Sequence, residues 1–288
     1  MSEAAPVIDQ VEFWNGDVGQ KWAANQERMD GAFTPLTKFL IDHAQAGPGE
    51  HVLDVGCGAG FVSLELARLV GRSGHVLAVD ISRPLLERAR ARDAAQTGPD
   101  RARIEWREAD AGTFAFERGG FDLIVSRFGT MFFADPVAAF ANLRGALRPG
   151  GRLAMLCWRT MPENDWVSVP RTAILNVLPP PPPVPPEAPG PFAFADAARV
   201  GAILARSGWT GIRSHLIDGA LDLGADPEER ARFVTELGPA SALLRDVPGD
   251  LRSRALASVR AALAGRFAAG DLATRAACWV YTARNGAA

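Results

Sequence analysis

The sequence predicts a doubly wound α/β fold built on a parallel sheet. Three observations lead there. Short apolar runs alternate with helical patterns from residue 51 to residue 158, a glycine-rich turn follows the first run, and an acid ends the second. Strand, helix, strand at this rhythm makes βαβ units, which assemble into a parallel sheet with helices against it.

The elements follow in order. Residues 10–45 form a helical segment whose apolar positions are Phe13, Trp14, Trp22, Phe33, Phe39 and Leu40. Strands are expected at 51–55, 75–80, 103–108, 121–126 and 152–158, with helices at 61–70, 84–95 and 136–147 between them. The strands are short apolar runs and the helices carry apolar residues at helical spacing. "RPGG" at 148–151 stops the last of these helices, since Pro cannot continue it and Gly caps it.

Beyond residue 160 the rhythm loosens. Nine prolines between Pro179 and Pro191 predict a stiff polyproline II stretch, a rigid strap over the protein's own surface rather than a ligand for a partner domain. Helices are expected at 195–206, 227–237 and 250–267, and closing strands at 212–217 and 277–283.

Hydrophobic residues make up 48% and charged residues 22%, the balance of a globular chain with a full core. The net charge is −2 and only Lys21 and Lys38 interrupt an otherwise arginine-only basic set. Without a basic cluster, nothing calls for a nucleic-acid backbone or an anionic membrane. Cys57, Cys157 and Cys278 are far apart and form no C-x-x-C pair, which argues against a disulfide framework or a structural zinc site. "MSEAAPVIDQ" has neither the basic start nor the apolar core of a signal peptide, and no apolar run reaches the roughly 18 residues that span a bilayer. The expected compartment is the cytoplasm.

"HVLDVGCGAGF" at 51–61 carries the chemistry. Ligands of open parallel sheets sit at the carboxyl ends of the strands where strand order reverses, and this turn lies at such an end. A dinucleotide fingerprint is G-x-G-x-x-G, its third glycine letting the helix N-terminus face a pyrophosphate. Here the pattern is G-x-G-x-G, Phe61 takes the third glycine's place, and Asp54 ends the strand. A carboxylate is unfavourable beside a diphosphate and favourable beside a cation. The turn suits a nucleoside without phosphates. Asp80, at the end of the second strand, is placed to accept hydrogen bonds from a ribose diol. The competing role, an N-cap for the next helix, can fall to Ser82.

With these residues in place the chain resembles the class I S-adenosylmethionine-dependent methyltransferases, and within them the type 11 group that includes the ubiquinone and menaquinone biosynthesis enzymes. The resemblance covers about residues 49–158 and rests on "VLDVGCGAG", "VLAVDIS", "READA", "FDLIVSRFG" and "LRPGGRLAMLCW" in order. It implies a Rossmann-like sheet of about seven strands. It divides the chain into an N-terminal helical lid (1–48), an S-adenosylmethionine-binding core (49–160), and a strap, helical cap and closing strands of the same domain (161–288). It further implies that Asp54, Gly56 and Gly58 approach the methionine part of the cofactor and Asp80 holds the ribose. Ile81 would pack on the adenine, Asp110 accept from its amino group, and the Ala111 amide serve a ring nitrogen. Ser126 and Arg127 would border the sulfonium and the substrate entrance. Cys57 is read as a small packed residue, since two glycine neighbours leave it no base.

The implied reaction is direct methyl transfer, in which the protein mainly aligns the reactants. The position after the fourth strand reads "SRFG" rather than the Asn/Asp-Pro-Pro-aromatic motif of relatives that methylate nucleobases or amides. Small molecules methylated at oxygen, carbon or sulfur remain, with oxygen or carbon preferred. His43 and His215 are the weak candidates for a base; His51 and His75 open strands at the far end of the sheet. Trp14, Trp22, Gln26, Phe132, Asn164 and Trp166 are the pocket candidates, with Phe133, Arg127 and His43 beside them; the competing reading makes the tryptophans ordinary core and the phenylalanines packing at a helix start. No metal site is expected, because the acids Asp54, Asp80 and Asp110 are assigned to the cofactor and no H-x-x-x-H occurs. The rival readings are a non-methylating S-adenosylmethionine-binding protein on the same fold and a nicotinamide-dependent dehydrogenase, the latter opposed by Phe61 and Asp54. Oligomeric state is not encoded in any of these features.

Overall fold

A computed structural model describes residues 9–96, 98, 100–270 and 274–286. Three helices open the chain: α1 (Gln10–Asn15), α2 (Asp17–Ala24) and α3 (Gln26–Ala44). The alternating region follows as β1 (His51–Val55), α4 (Phe61–Val70), β2 (His75–Asp80), α5 (Arg83–Ala95), β3 (Arg103–Glu108), β4 (Phe121–Arg127), α6 (Pro136–Ala146) and β5 (Leu147–Trp158). Then come α7 (Asp165–Leu175), α8 (Ala197–Arg206), β6 (Thr210–Leu221), α9 (Pro227–Glu236), α10 (Ala240–Leu243), α11 (Gly249–Ala268) and β7 (Thr274–Arg284).

The seven strands form one sheet in the order β3-β2-β1-β4-β5-β7-β6. β1 to β5 run parallel, and β7 lies antiparallel between β5 and β6. The chain builds outward from β1 through β2 to β3, then returns to place β4 on β1's other side. That reversal sets a crevice at the carboxyl ends of β1 and β4. β1 and β4 are the most central and are buried along almost their whole length. α3 packs across β5, β7 and β6, while α7, α9 and α11 pack on one another beside it.

Three expectations needed correction. α6 ends at Ala146, one residue short of the expected end before "RPGG", but β5 begins at Leu147 rather than 152 and the four residues extend it. The physical reason is a partner from the end of the chain. Gly150 N–H donates to Asn285 O and Asn285 N–H to Gly151 O, both at 2.8 Å, and the Asn285 amide donates to Leu147 O at 2.9 Å. α7 was not foreseen, because Val167, Val169 and Pro170 in "DWVSVPRTAIL" read against a helix; packing of its buried face on α11 overrides local preference. β6 extends beyond its expected 212–217 at both ends. It is an edge strand, mostly exposed, so its apolar alternation is faint. The proline-rich stretch from Pro179 to Glu187 is exposed and tied down beyond its end, where Gly190 N–H donates to Met131 O at 3.1 Å.

Candidate functional site

The turn between β1 and α4 is anchored by its neighbours β2 and β4. Gly56 and Cys57 both donate their N–H groups to Val79 O, at 2.9 and 3.1 Å, which folds the turn onto β2. A Cβ on Gly56, at φ +67, would lie 2.7 Å from the Cα of Gly129 after β4. At Gly60, φ +84, it would lie 2.5 Å from the Trp106 ring. Both conformation and space therefore demand glycine at these two positions. Gly58 is different: nothing stands within 4 Å of a Cβ there, so its bare backbone faces open space.

Two carboxylates converge on this turn. Asp80 Oδ2 accepts from Gly58 N–H at 2.7 Å and Oδ1 from Ser82 N–H at 2.8 Å. Each oxygen keeps acceptor capacity beyond these bonds. Burial pushes the Asp80 carboxyl above its ordinary value, while the N–H groups of Ser82 and Gly58 pull it back. Asp54, 1% exposed, accepts from the Ser63 hydroxyl at 2.5 Å through Oδ2, and its Oδ1 is buried with no hydrogen-bond partner. Burial is the main reason its carboxyl is pushed up to about 7; the Ser63 hydroxyl and the Arg127 charge act the other way. A buried acceptor without a donor is a position that a ligand's cation or N–H can fill. Burial also pushes the Cys57 thiol up, with Asp80 and Asp54 adding to it, so it stays neutral and packed.

A charged layer lies behind the turn. Asp30 of α3 accepts from the Gln26 amide and pairs with Arg92 at 2.8 Å and Arg127 at 3.5 Å. Arg127 also donates to Thr37 Oγ1 at 2.8 Å and lies over the Phe61 ring. Phe128, next to it, has φ +63, an uncommon conformation for a residue with a side chain. It delivers the ring onto Trp158 in a parallel stack with centroids 4.2 Å apart.

Above the turn stand aromatic rings from the N-terminal helices. Trp14 meets Trp22 at 5.4 Å and Phe132 at 5.5 Å, both edge to face. Phe132 follows β4, and Trp14 O accepts from the Ser82 hydroxyl beyond β2 at 2.7 Å. α1 and α2 thus bridge the crevice from one rim to the other. Ile81 is half-buried on this rim, and Asp110, exposed after β3, accepts from Gly112 N–H at 2.8 Å with buried Ala111 between them.

Several sequence-derived candidates lie elsewhere. Ser126 is fully buried and donates to Val55 O at 2.8 Å, so it braces β4 against β1 rather than lining an entrance. Asn164 is fully buried and its amide bridges β7 to the preceding turn, accepting from Ala277 N–H at 2.9 Å and donating to Thr160 O at 3.0 Å. Trp166, 5% exposed, is packed with Trp158 and Phe33 in the core. Gln26 is buried and spends both ends of its amide, on Asp30 and on Arg88. His43, at the end of α3, and His215, on β6, lie 4.6 Å apart ring to ring, and β6 is four strands from β1. Ser82 does not cap α5 with its side chain, contrary to expectation. Sequence reasoning missed Asn15, Asp30, Arg92 and Gly129, whose partners are remote in the chain and leave no local signal. Among the described residues, no three His, Cys, Asp or Glu side chains are grouped to hold a metal ion.

A sheet parallel from β1 to β5, a reversal at β1/β4, a glycine turn after β1 and acids at or next to the ends of β1 and β2 give the Rossmann-like architecture. Residues 52–151, about a third of the chain, match the family described as "Methyltransferase domain". Nocamycin O-methyltransferase of Saccharothrix syringae is 36% identical over 123 residues, 43% of this chain and 43% of that protein. The ubiquinone/menaquinone biosynthesis C-methyltransferase of Vibrio vulnificus is 33% identical over 142 residues, 48% of this chain and 53% of that one. The chain thus spans about half the length of the curated relatives it matches. Phosphoethanolamine N-methyltransferase 2 of Haemonchus contortus, solved with S-adenosyl-L-methionine, shares the fold at TM-score 0.59 and 16% identity, over 98% of this chain and 61% of that one.

Proposed function

We propose that the chain transfers the methyl group of S-adenosylmethionine to an oxygen or carbon of a small, largely apolar acceptor. The observation that carries this is the pair of carboxylates on the glycine turn, one with acceptor capacity to spare and one with an orphaned buried oxygen. These residues fit the cofactor. Asp80 would accept from the ribose hydroxyls, Gly58 would let the methionine part approach the backbone, and Asp54 would face its ammonium. Ile81, Asp110 and Ala111 would take the adenine. When bound, the cofactor supplies an activated methyl on a positively charged sulfur.

The chain's own residues do the rest by holding and shielding. Trp14, Trp22 and Phe132 roof the crevice, and excluding water there keeps an acceptor's nucleophile unsolvated. None of the four histidines stands at the carboxyl ends of β1, β2 or β4; His51 and His75 face each other at strand starts. Alignment of acceptor and methyl, which can contribute roughly 7–11 kcal/mol, is therefore the main contribution proposed for the protein. The O- and C-methylating relatives support oxygen or carbon as the target, and a net charge of −2 supports a free small molecule over a nucleic acid. Among the described residues no helix is long and apolar enough to cross a membrane. The test is incubation with methyl-labelled cofactor and a panel of phenolic and enolisable acceptors. Labelled product with matching release of S-adenosylhomocysteine is expected. Tight cofactor binding with no label transferred to any acceptor or extract would contradict methyl transfer.

A further inference from the structure

The lid is fastened to the turn after β2 by two side chains, Asn15 and Ser82. Asn15, the last residue of α1, donates from Nδ2 to Ile81 O at 2.8 Å, and its Oδ1 accepts from Arg83 N–H at 2.9 Å. Arg83 opens α5, where an N-cap side chain normally serves one of the unpaired N–H groups. The residue at that place, Ser82, instead donates its hydroxyl to Trp14 O. Lid and turn have exchanged partners: Ser82 holds the lid's carbonyl, and Asn15 supplies the missing cap from the lid. Gly19 makes the approach possible, since a Cβ there would lie 1.9 Å from Trp14 O and 3.0 Å from Ser82 Oγ.

The fastened turn is the one that holds Asp80. Ser82 N–H bonds Asp80 Oδ1, so both flanks of that carboxylate's turn are fixed by the same few bonds. The other contacts of α1 and α2 are ring packing, Trp14 on Phe132 and Trp22 on the core. α1 buries none of its residues and α2 only Gly19. A cavity of about 460 Å³ runs along the seam between lid and α5, lined by Val11, Asn15, Gln20, Arg83, Glu87 and Glu108 among others. Asn15 and Ser82 carry polar bonds across this seam.

We infer that Asn15 is a positioning residue that, with Ser82, latches the lid over the nucleoside and so sets how long the cofactor stays bound. This rests on the cofactor reading of the crevice. Because Asn15 acts through the turn and the lid, its loss opens the exit without removing a cofactor contact. The effect falls on dissociation more than on association.

The test uses the full chain and S-adenosylhomocysteine as probe, with association and dissociation followed by stopped-flow tryptophan fluorescence. Asn15→Ala and Ser82→Ala are expected to raise the dissociation rate about tenfold, the scale of one or two lost hydrogen bonds, while association changes by less than about threefold. Asn15→Asp keeps the acceptor for Arg83 N–H and loses the donor to Ile81 O, so an intermediate rate is expected. Ligand-free melting temperatures should stay together, because none of these substitutions removes apolar packing. Unchanged dissociation in all three variants overturns the latch, as does faster dissociation that merely tracks a lower melting temperature. Asp80→Ala separates the two levels. If it weakens binding while Asn15→Ala dissociates like the wild type, the site reading stands and the latch falls. If the wild type itself binds no S-adenosylhomocysteine, both fall.

Discussion

At Asp54 a carboxylate sits 1% exposed with one oxygen on Ser63 and the other facing no donor. Its carboxyl titrates at about 7 in the folded chain against an ordinary 3.8, chiefly because burial penalises the charge. Between those pH values the folded state holds a proton that the unfolded chain has released. Stability therefore falls as pH rises from about 4 to about 7 and levels off above that. His75 and His215, both held below their ordinary value by burial, act in the opposite direction near pH 6.5. The readout is accordingly the difference between wild type and Asp54→Asn in urea unfolding at pH 5 and pH 8. The variant should lose the Asp54 share of the decline; parallel curves would remove Asp54 as its source. A cationic ligand beside Asp54 favours the charged form, so binding the cofactor near pH 6 should release a proton. Calorimetry in buffers of differing ionisation enthalpy checks this, and proton uptake would contradict it. Asp54 and Asp80 were legible in the sequence because each ends a strand beside the glycine turn. Asn15 was not: Ile81 and Arg83 lie 66 and 68 residues away, and nothing near Asn15 announces them.

Two helices carry tryptophans that looked alike in the sequence and differ in the structure. Trp166 on α7 is core, against Trp158 and Phe33, whereas Trp22 on α2 is half-buried and touches Trp14 in the roof of the crevice. Trp166→Ala should cost about 3–5 kcal/mol of stability, the usual range for emptying an aromatic site. Trp22→Ala should leave the melting temperature nearly unmoved and lower turnover by tenfold or more, about 1.4 kcal/mol. Thermal denaturation and steady-state assays of both variants check this; equal melting losses would make Trp22 core as well. β1, β2 and β3 matched their expected ranges to the residue, because short apolar runs between turn signals have few other readings. α7, β6 and the start of β5 were less legible. Each depends on a distant partner: α11 for α7, β7 for β6, and Asn285 for the "RPGG" that reads locally as a stop.

For the molecule as a whole, the part that matches a known family is the stretch whose fold and site repeat a common pattern, residues 52–151. The helices before it and the segment after it are less legible, since their elements depend on partners distant in the chain. The same whole-molecule logic bears on metals. The free acceptor capacity of Asp54 and Asp80 is assigned to the cofactor's ammonium and ribose, and no group among the described residues collects three metal ligands. Turnover should survive EDTA; loss restored by magnesium would contradict this. The central claim is that Asp80 and the glycine turn hold S-adenosylmethionine, and isothermal titration of S-adenosylhomocysteine into wild type and Asp80→Ala tests it most directly. The account predicts one site per chain in the wild type and affinity weaker by about 1.5–3 kcal/mol in a variant with an intact fold. Equal affinity in the two proteins would contradict it.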